Sequence, residues 1–232
     1  MYTKNFVLSI YSFSLIVIFS CVKEKKPAMA DQSLTYSYLA LGDSYTIGES
    51  VPARDNFPSQ AVQLLKNAGL DFKPPEIVAK TGWTTDELQD KINTYSFNPP
   101  YHFVTLLIGV NNQYRGHSVE DYRSQFEILL RQTIQFAGNK PDHVIVLSIP
   151  DWGVTPFATG RDKEQIAREI DAYNVANKTI SQQFKVNYID ITPWTREAAS
   201  DPSLIANDGL HPSAKEYQRW SEKIASIAKQ KL

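Results

Sequence analysis

A serine, a histidine and an aspartate are the residues of this chain whose types and spacing could do nucleophilic chemistry. Ser44 follows Gly42-Asp43 at the end of an apolar run, and Asp208-Gly209-Leu210-His211 lies near the C-terminus. A serine hydroxyl is a poor nucleophile near neutral pH. It needs a base to take its proton, and an imidazole serves when a carboxylate orients it. Three residues is a short reach, so Asp208 and His211 can share one loop. The ordinary reading of Asn207-Asp208-Gly209 is a surface turn. His211 makes it more than that: of the four histidines, it alone has a carboxylate three residues before it.

Ser44 and His211 are far apart in sequence, so only a fold that returns the C-terminus to the first strand can unite them. The hydrophobic pattern describes such a fold. Tyr36–Leu41, Glu76–Ala79, Phe103–Ile108, Val144–Ile149 and Val186–Asp190 read as five strands, the third and fourth nearly continuous in apolar residues, as in strands covered on both faces. Between them lie helical patterns: Pro58 to Ala68, Thr84 through Ile92, Ser118 to about Ala137, and the stripe Ile166, Ile170, Tyr173, Ile180, Phe184. Pro193 to Ser200 reads as a short helix. Ser213, with Glu216 three residues on, caps a terminal helix carrying Tyr217, Trp220, Ile224 and Ile227. Gly109–His117 and Asp151–Gly160 read as loops. Strictly alternating strands and helices predict a parallel sheet with helices on both faces. Ligands bind outside the carboxyl ends of such strands, which is where Ser44, Gly82 and Asn111 fall.

The N-terminus differs from the rest. Lys4 precedes an apolar run from Phe6 to Phe19, then Ser20-Cys21 and a polar stretch. A positive end, a hydrophobic segment and a small residue before a cut site make an export signal over residues 1–20. The run is short for a membrane span, which needs about 20 residues. Cys21 is the only cysteine, which excludes an intrachain disulfide and leaves it placed as in the lipobox of bacterial lipoproteins. Phe19 is bulkier than the residue usual there. Lipid attachment at Cys21 is the expectation, with an ordinary signal peptide or uncleaved anchor as the alternative, residues 21–32 as a flexible tether and 33–232 as one domain. The product would lie in the cell envelope, membrane-anchored or periplasmic. A balance of 24 basic and 25 acidic residues gives a net charge of −1, with no basic face for nucleic acid. Without a CxxC pair, an HExxH or a calcium loop, no metal is expected.

The residues carry a resemblance to the SGNH hydrolases, also called the GDSL lipase/esterase family, from Leu41 to His211. Gly42-Asp43-Ser44-Tyr45 resembles the first block, with Tyr45 in place of leucine. Lys80-Thr81-Gly82-Trp83-Thr84-Thr85 resembles the second, Gly109-Val110-Asn111-Asn112 the third, and Asp208-Gly209-Leu210-His211 the last. The resemblance implies a three-layer α/β/α sandwich with a five-stranded parallel sheet of flavodoxin-like type, and a serine esterase that needs no cofactor. It makes Ser44 the nucleophile, His211 the base and Asp208 its orienting partner. The backbone N–H of Ser44, that of Gly82 and the side-chain amide of Asn111 would form the oxyanion hole; losing such a donor typically costs about 10²–10³ in turnover. Asn112 replaces the family's usual aspartate and should alter loop packing before chemistry. Asp43 is expected to be structural.

Other residues carry weaker signals. Trp83, Tyr114, Trp152 and Phe157 could form an aromatic wall for sugar or aryl groups, or simply pack the loops. Arg115 could pair with an anionic substrate, though a solvated arginine is the ordinary reading. His102 and His117 show no evident partner, and His143 precedes a strand. The family acts on acetylated carbohydrates, aryl esters, thioesters and lysophospholipids. Location in the envelope favours O-acetyl groups on glycans. The rival from another class is a non-catalytic surface module that binds a glycan or partner on an inherited fold, which the full set Ser44, Gly82, Asn111, Asp208 and His211 argues against. A phosphoesterase would lack metal ligands.

Overall fold

The computed structural model describes residues 1–3, 5 and 34–232. The chain divides into Met1–Gln32 and Ser33–Leu232. Of the first unit, residues 1–3 and 5 carry no secondary structure. The apolar run Phe6–Phe19, Cys21 and the tether 21–32 lie outside the described residues.

The second unit holds five parallel strands in the order β2-β1-β3-β4-β5. They are β1 (Tyr38–Asp43), β2 (Glu76–Lys80), β3 (Phe103–Leu107), β4 (Val144–Leu147) and β5 (Asn187–Ile189). Each predicted strand is present, trimmed or shifted by a residue or two at its ends. All residues of β1, β3 and β4 are buried, because helices cover both faces. Each fully buried Leu, Val or Phe contributes about 1.5–3 kcal/mol, so the central strands fix the register.

Between the strands lie α1 (Ser44–Ile47), α2 (Phe57–Asn67), α3 (Thr85–Thr94), α4 (Val110–Tyr114), α5 (Val119–Phe136), α6 (Lys163–Gln183), α7 (Thr192–Arg196) and α8 (Ala214–Lys231). Packing of α2 on α8, and of α5 on both α3 and α6, gives one helix group to each face of the sheet. The predicted start signals are visible. Ser118 Oγ accepts from the Asp121 N–H at 3.1 Å, and Glu87 accepts from the Thr84 N–H at 2.9 Å. Two readings need correction. The segment after β3 is not all loop, since Val110–Tyr114 forms α4; five residues are too few to show a helical period. Glu216 does not complete a capping box. Ser213 caps α8, but the Glu216 carboxylate accepts from Trp220 Nε1 at 2.7 Å and Arg219 Nη1 at 2.9 Å. It is buried, and desolvation raises its pKa against those bonds.

The register positions the site. Asp43 lies opposite Lys80 on one side, and Gly42 opposite Leu107 on the other. Ser44, Gly82 and Asn111 therefore leave the sheet at one edge. Helix α8 brings the chain's end there: Tyr217 and Trp220 are fully buried against Phe57 of α2, and Ser221 Oγ donates to the Phe57 carbonyl at 3.1 Å.

Candidate active site

The turn from β1 into α1 is tightly specified. A Cβ on Gly42 would collide with the Thr46 side chain and the Leu107 carbonyl, so only glycine lets α1 fold back over the strand end. Asp43 is the N-cap of α1, its Oδ1 accepting from the Tyr45 N–H at 3.0 Å. Burial pushes its carboxyl up to about 7, against hydrogen bonds from the Tyr45 N–H and Asn111 that favour the anion. Ser44 is thus the first residue of a helical turn, 4% exposed.

At the C-terminal end, Asp208 organises its own loop. Its Oδ1 accepts from the backbone N–H of Leu210 and of His211, both at 3.0 Å. Its Oδ2 accepts from His211 Nδ1 at 2.6 Å and from Ser50 Oγ at 2.8 Å. Desolvation would raise this carboxyl, but those four hydrogen bonds outweigh it and hold it down at about 2. An ionised Asp208 requires the proton of a neutral His211 on Nδ1, which leaves Nε2 as a free base. The ring packs on Tyr45, centroids 4.9 Å apart. The carbonyl of Gly209 accepts from the Phe157 N–H at 3.0 Å, tying this loop to the segment after β4.

Ser44 and His211 line one cavity of about 120 Å³. No hydrogen bond joins their side chains among the described residues. The hydrogen bond expected between the hydroxyl and the imidazole is thus not made in this structure. Asn111 lines the same cavity, with Val110, Leu210, Tyr114, Trp152 and Phe157 as its apolar walls. The Asn111 amide donates to Trp83 O at 3.0 Å and to Asp43 Oδ2 at 3.3 Å. The bond to Asp43 is the longer of the two.

Gly82 adopts φ +84°, a left-handed conformation that favours glycine. A Cβ there would meet only Arg115 Nη2, at 3.5 Å. Among the protein's own atoms, backbone conformation rather than crowding demands the glycine. Arg115 is not free in solvent: Nη2 donates to the Gly82 carbonyl at 2.6 Å, and Nη1 lies 3.3 Å from Glu87 Oε2. It therefore fixes the peptide that follows Gly82.

Asn112 is fully buried. Its Oδ1 accepts from the Thr85 N–H at 3.0 Å and its Nδ2 donates to Thr85 Oγ1 at 2.7 Å. It joins α4 to the start of α3, a packing role. The aromatic wall is smaller than predicted. Tyr114, Trp152 and Phe157 cluster with centroids 5.3–6.1 Å apart, whereas Trp83 packs against the core and does not line the cavity. His102 has a partner after all, Nδ1 accepting from the Ser37 N–H at 3.0 Å. His143 Nδ1 donates to the His102 carbonyl at 2.6 Å. His117 Nδ1 lies 3.5 Å from Asn112 Nδ2.

Two residues that sequence reasoning did not single out bind this site together. Glu49 accepts a hydrogen bond from Thr81 Oγ1, beside Gly82, and Ser50 donates to Asp208. One short loop after α1 thus ties the turn at Gly82 to the loop of Asp208 and His211, although neither Gly82 nor Asp208 itself lines the cavity. The only sequence signal was position, a polar pair after Gly48.

The profile of the GDSL-like Lipase/Acylhydrolase family matches residues 40–219. A search of curated proteins finds no match. Among solved structures, the chain superposes on TesA with a TM-score of 0.66 at 16% identity, covering 86% of this chain and 100% of that one. Axe2, an acetylxylan esterase from Geobacillus stearothermophilus, gives 0.66 at 18% identity, covering 83% and 94%. The psychrotrophic esterase EstA from Pseudoalteromonas sp., inhibited by monoethylphosphonate, gives 0.62 at 16% identity, covering 84% and 97%.

Proposed function

The chain belongs to the GDSL-like lipase/acylhydrolase family and is an ester-hydrolysing enzyme, and from that premise we propose that it works through an acyl-enzyme on Ser44. The observation that carries this reading is the shared cavity: Ser44 and His211 line it together, and the Asp208 carboxylate fixes the His211 proton on Nδ1. His211 Nε2 takes the Ser44 hydroxyl proton as Oγ bonds to the ester carbonyl carbon. The carbonyl oxygen becomes an oxyanion facing the N–H groups of Ser44 and Gly82 and the Asn111 amide. The tetrahedral intermediate collapses, the alkoxide leaves with the proton from Nε2, and the acyl group stays on Oγ. Water then gives a proton to Nε2 and attacks the acyl carbon; the acyl C–Oγ bond breaks, Oγ takes the proton back from Nε2, and the carboxylic acid leaves. Asp208 stabilises each transient imidazolium.

Labelling by a fluorophosphonate and hydrolysis of p-nitrophenyl acetate test the assignment. Both are expected in the native protein and lost in Ser44→Ala. Full hydrolysis by a folded Ser44→Ala protein refutes the nucleophile.

The acyl group we propose is short, and the alcohol a carbohydrate. The cavity is small and walled by Val110, Leu210 and aromatic rings, and Axe2, of the same fold, is an acetylxylan esterase. A higher kcat/KM for long-chain than for acetyl esters overturns this. We propose further that the protein is exported and lipid-attached at Cys21, on the pattern of residues 1–21. Cys21→Ser should release it from the membrane fraction, and an unchanged distribution refutes the anchor.

A further inference from the structure

Beside the catalytic cavity runs a larger groove, about 450 Å³, between α4, the segment after β4 and the start of α6. The two share Tyr114 and Trp152 as lining residues. Tyr114 stands on the ridge between them, 46% exposed, its ring edge-on to Trp152. An exposed aromatic face beside polar side chains suits a sugar, which has apolar C–H faces and a hydroxyl rim.

The polar side chains form a connected set. Trp152 Nε1 donates to the buried Gln113 Oε1 at 2.7 Å, Gln113 Nε2 to Glu169 Oε2 at 2.7 Å, and Gln165 Nε2 to Glu169 Oε1 at 2.8 Å. These bonds hold Trp152 and present the Glu169 carboxylate toward the groove with two amide donors and no cationic partner among the described residues. Arg161, exposed and also in the groove, makes no ion pair among the described residues. The mixture of donors and acceptors, with one basic and two acidic side chains including Asp162, fits a neutral polyhydroxyl ligand better than an anion or an acyl chain. A long acyl chain would leave Gln165, Glu169 and Arg161 facing hydrocarbon, at the cost of their hydration.

We propose that this groove is a glycan subsite. It holds the sugar units adjoining the one whose ester enters the catalytic cavity, with Tyr114 as the stacking surface between them and Arg161, Gln165 and Glu169 as hydrogen-bonding partners. The assignment rests on the ester-hydrolase reading of the cavity.

The test compares p-nitrophenyl acetate with O-acetylated oligosaccharides of glucose, xylose and N-acetylglucosamine, from the mono- to the tetrasaccharide. In the native protein, kcat/KM on at least one series should rise with length by about tenfold, the worth of one or two hydrogen bonds. In Arg161→Ala/Gln165→Ala, the loss on the tetrasaccharide should exceed the loss on p-nitrophenyl acetate by about the same factor. The unesterified tetrasaccharide should inhibit p-nitrophenyl acetate hydrolysis by the native protein and inhibit this variant about tenfold less well. Turnover of p-nitrophenyl acetate with no dependence on length in any series overturns the subsite and leaves the esterase standing. So does length dependence that survives intact in the variant. Failure to hydrolyse any ester overturns the esterase reading and the subsite with it.

Discussion

Ser50 offers a way to separate the positioning of Asp208 from the stability of the fold. It is exposed, has a left-handed backbone with φ +64°, and donates to Asp208 Oδ2 at 2.8 Å. A non-glycine residue held there costs about 1 kcal/mol. Ser50→Gly removes that strain but frees the unfolded chain by about 0.4–1 kcal/mol, so the two effects nearly cancel. The melting temperature should then fall only by about 2–4 °C, the worth of the lost hydrogen bond at this size. Activity should fall as well. A hydrogen bond to a charged acceptor contributes about 1.5–3 kcal/mol when shielded, and solvent at Ser50 reduces that to about 1 kcal/mol. If this is spent orienting the carboxylate under His211, kcat/KM falls about fivefold. Ser50→Ala keeps both the strain and the stiffer unfolded chain and loses only the hydroxyl, so it should match the glycine variant in activity and nearly in stability. Calorimetry and steady-state kinetics of both variants supply the readouts. A glycine variant with native kcat/KM refutes the positioning role.

Arg115→Ala frees the Gly82 carbonyl and should lower kcat about tenfold, less than loss of an oxyanion donor itself, with KM little changed; a rise in KM alone would point to substrate binding instead. Asn112→Asp puts a charge where Thr85 Oγ1 now accepts from Nδ2, and should cost about 1–3 kcal/mol at pH 8, read as a lower urea midpoint; an unchanged midpoint refutes the packing role. For Asp43, raised to about 7 in the folded protein from a reference near 3.9 when unfolded, the protonated form is favoured by folding. Its contribution is full below about pH 4 and is lost as pH rises through about 7. Asp43→Asn should therefore gain stability relative to the native protein across that interval and no further above it, and parallel urea-derived stability curves for the two proteins would refute the shift.

The parts of the fold that were legible in the sequence are those with a repeating signal. Runs such as Phe103–Ile108 and Val144–Ile149 mark strands because both faces are covered, and Ser118 and Ser213 mark helix starts because capping is local chemistry. The residues of the site were legible for a different reason: Ser44, Asp208 and His211 are types that carry chemistry, set in short, recognisable motifs. Contacts made across the fold were not. Glu49 with Thr81, Ser50 with Asp208, and Arg115 with Gly82 join segments whose nearness follows only from strand order and register. Glu216 shows the converse error. Its spacing from Ser213 fits a capping box, but burial against Trp220 and Arg219 gives its carboxylate better partners. Trp83 likewise sits in the right motif, yet its side chain turns to the core and only its carbonyl reaches Asn111.

Helix α8 supplies no reacting group, yet its docking on α2 sets the place of the loop before it. A chain cut short after Ser213 would keep all five motif residues and lose the packing of Tyr217 and Trp220 on Phe57, so possession of the motifs and assembly of the site are separable properties of this molecule.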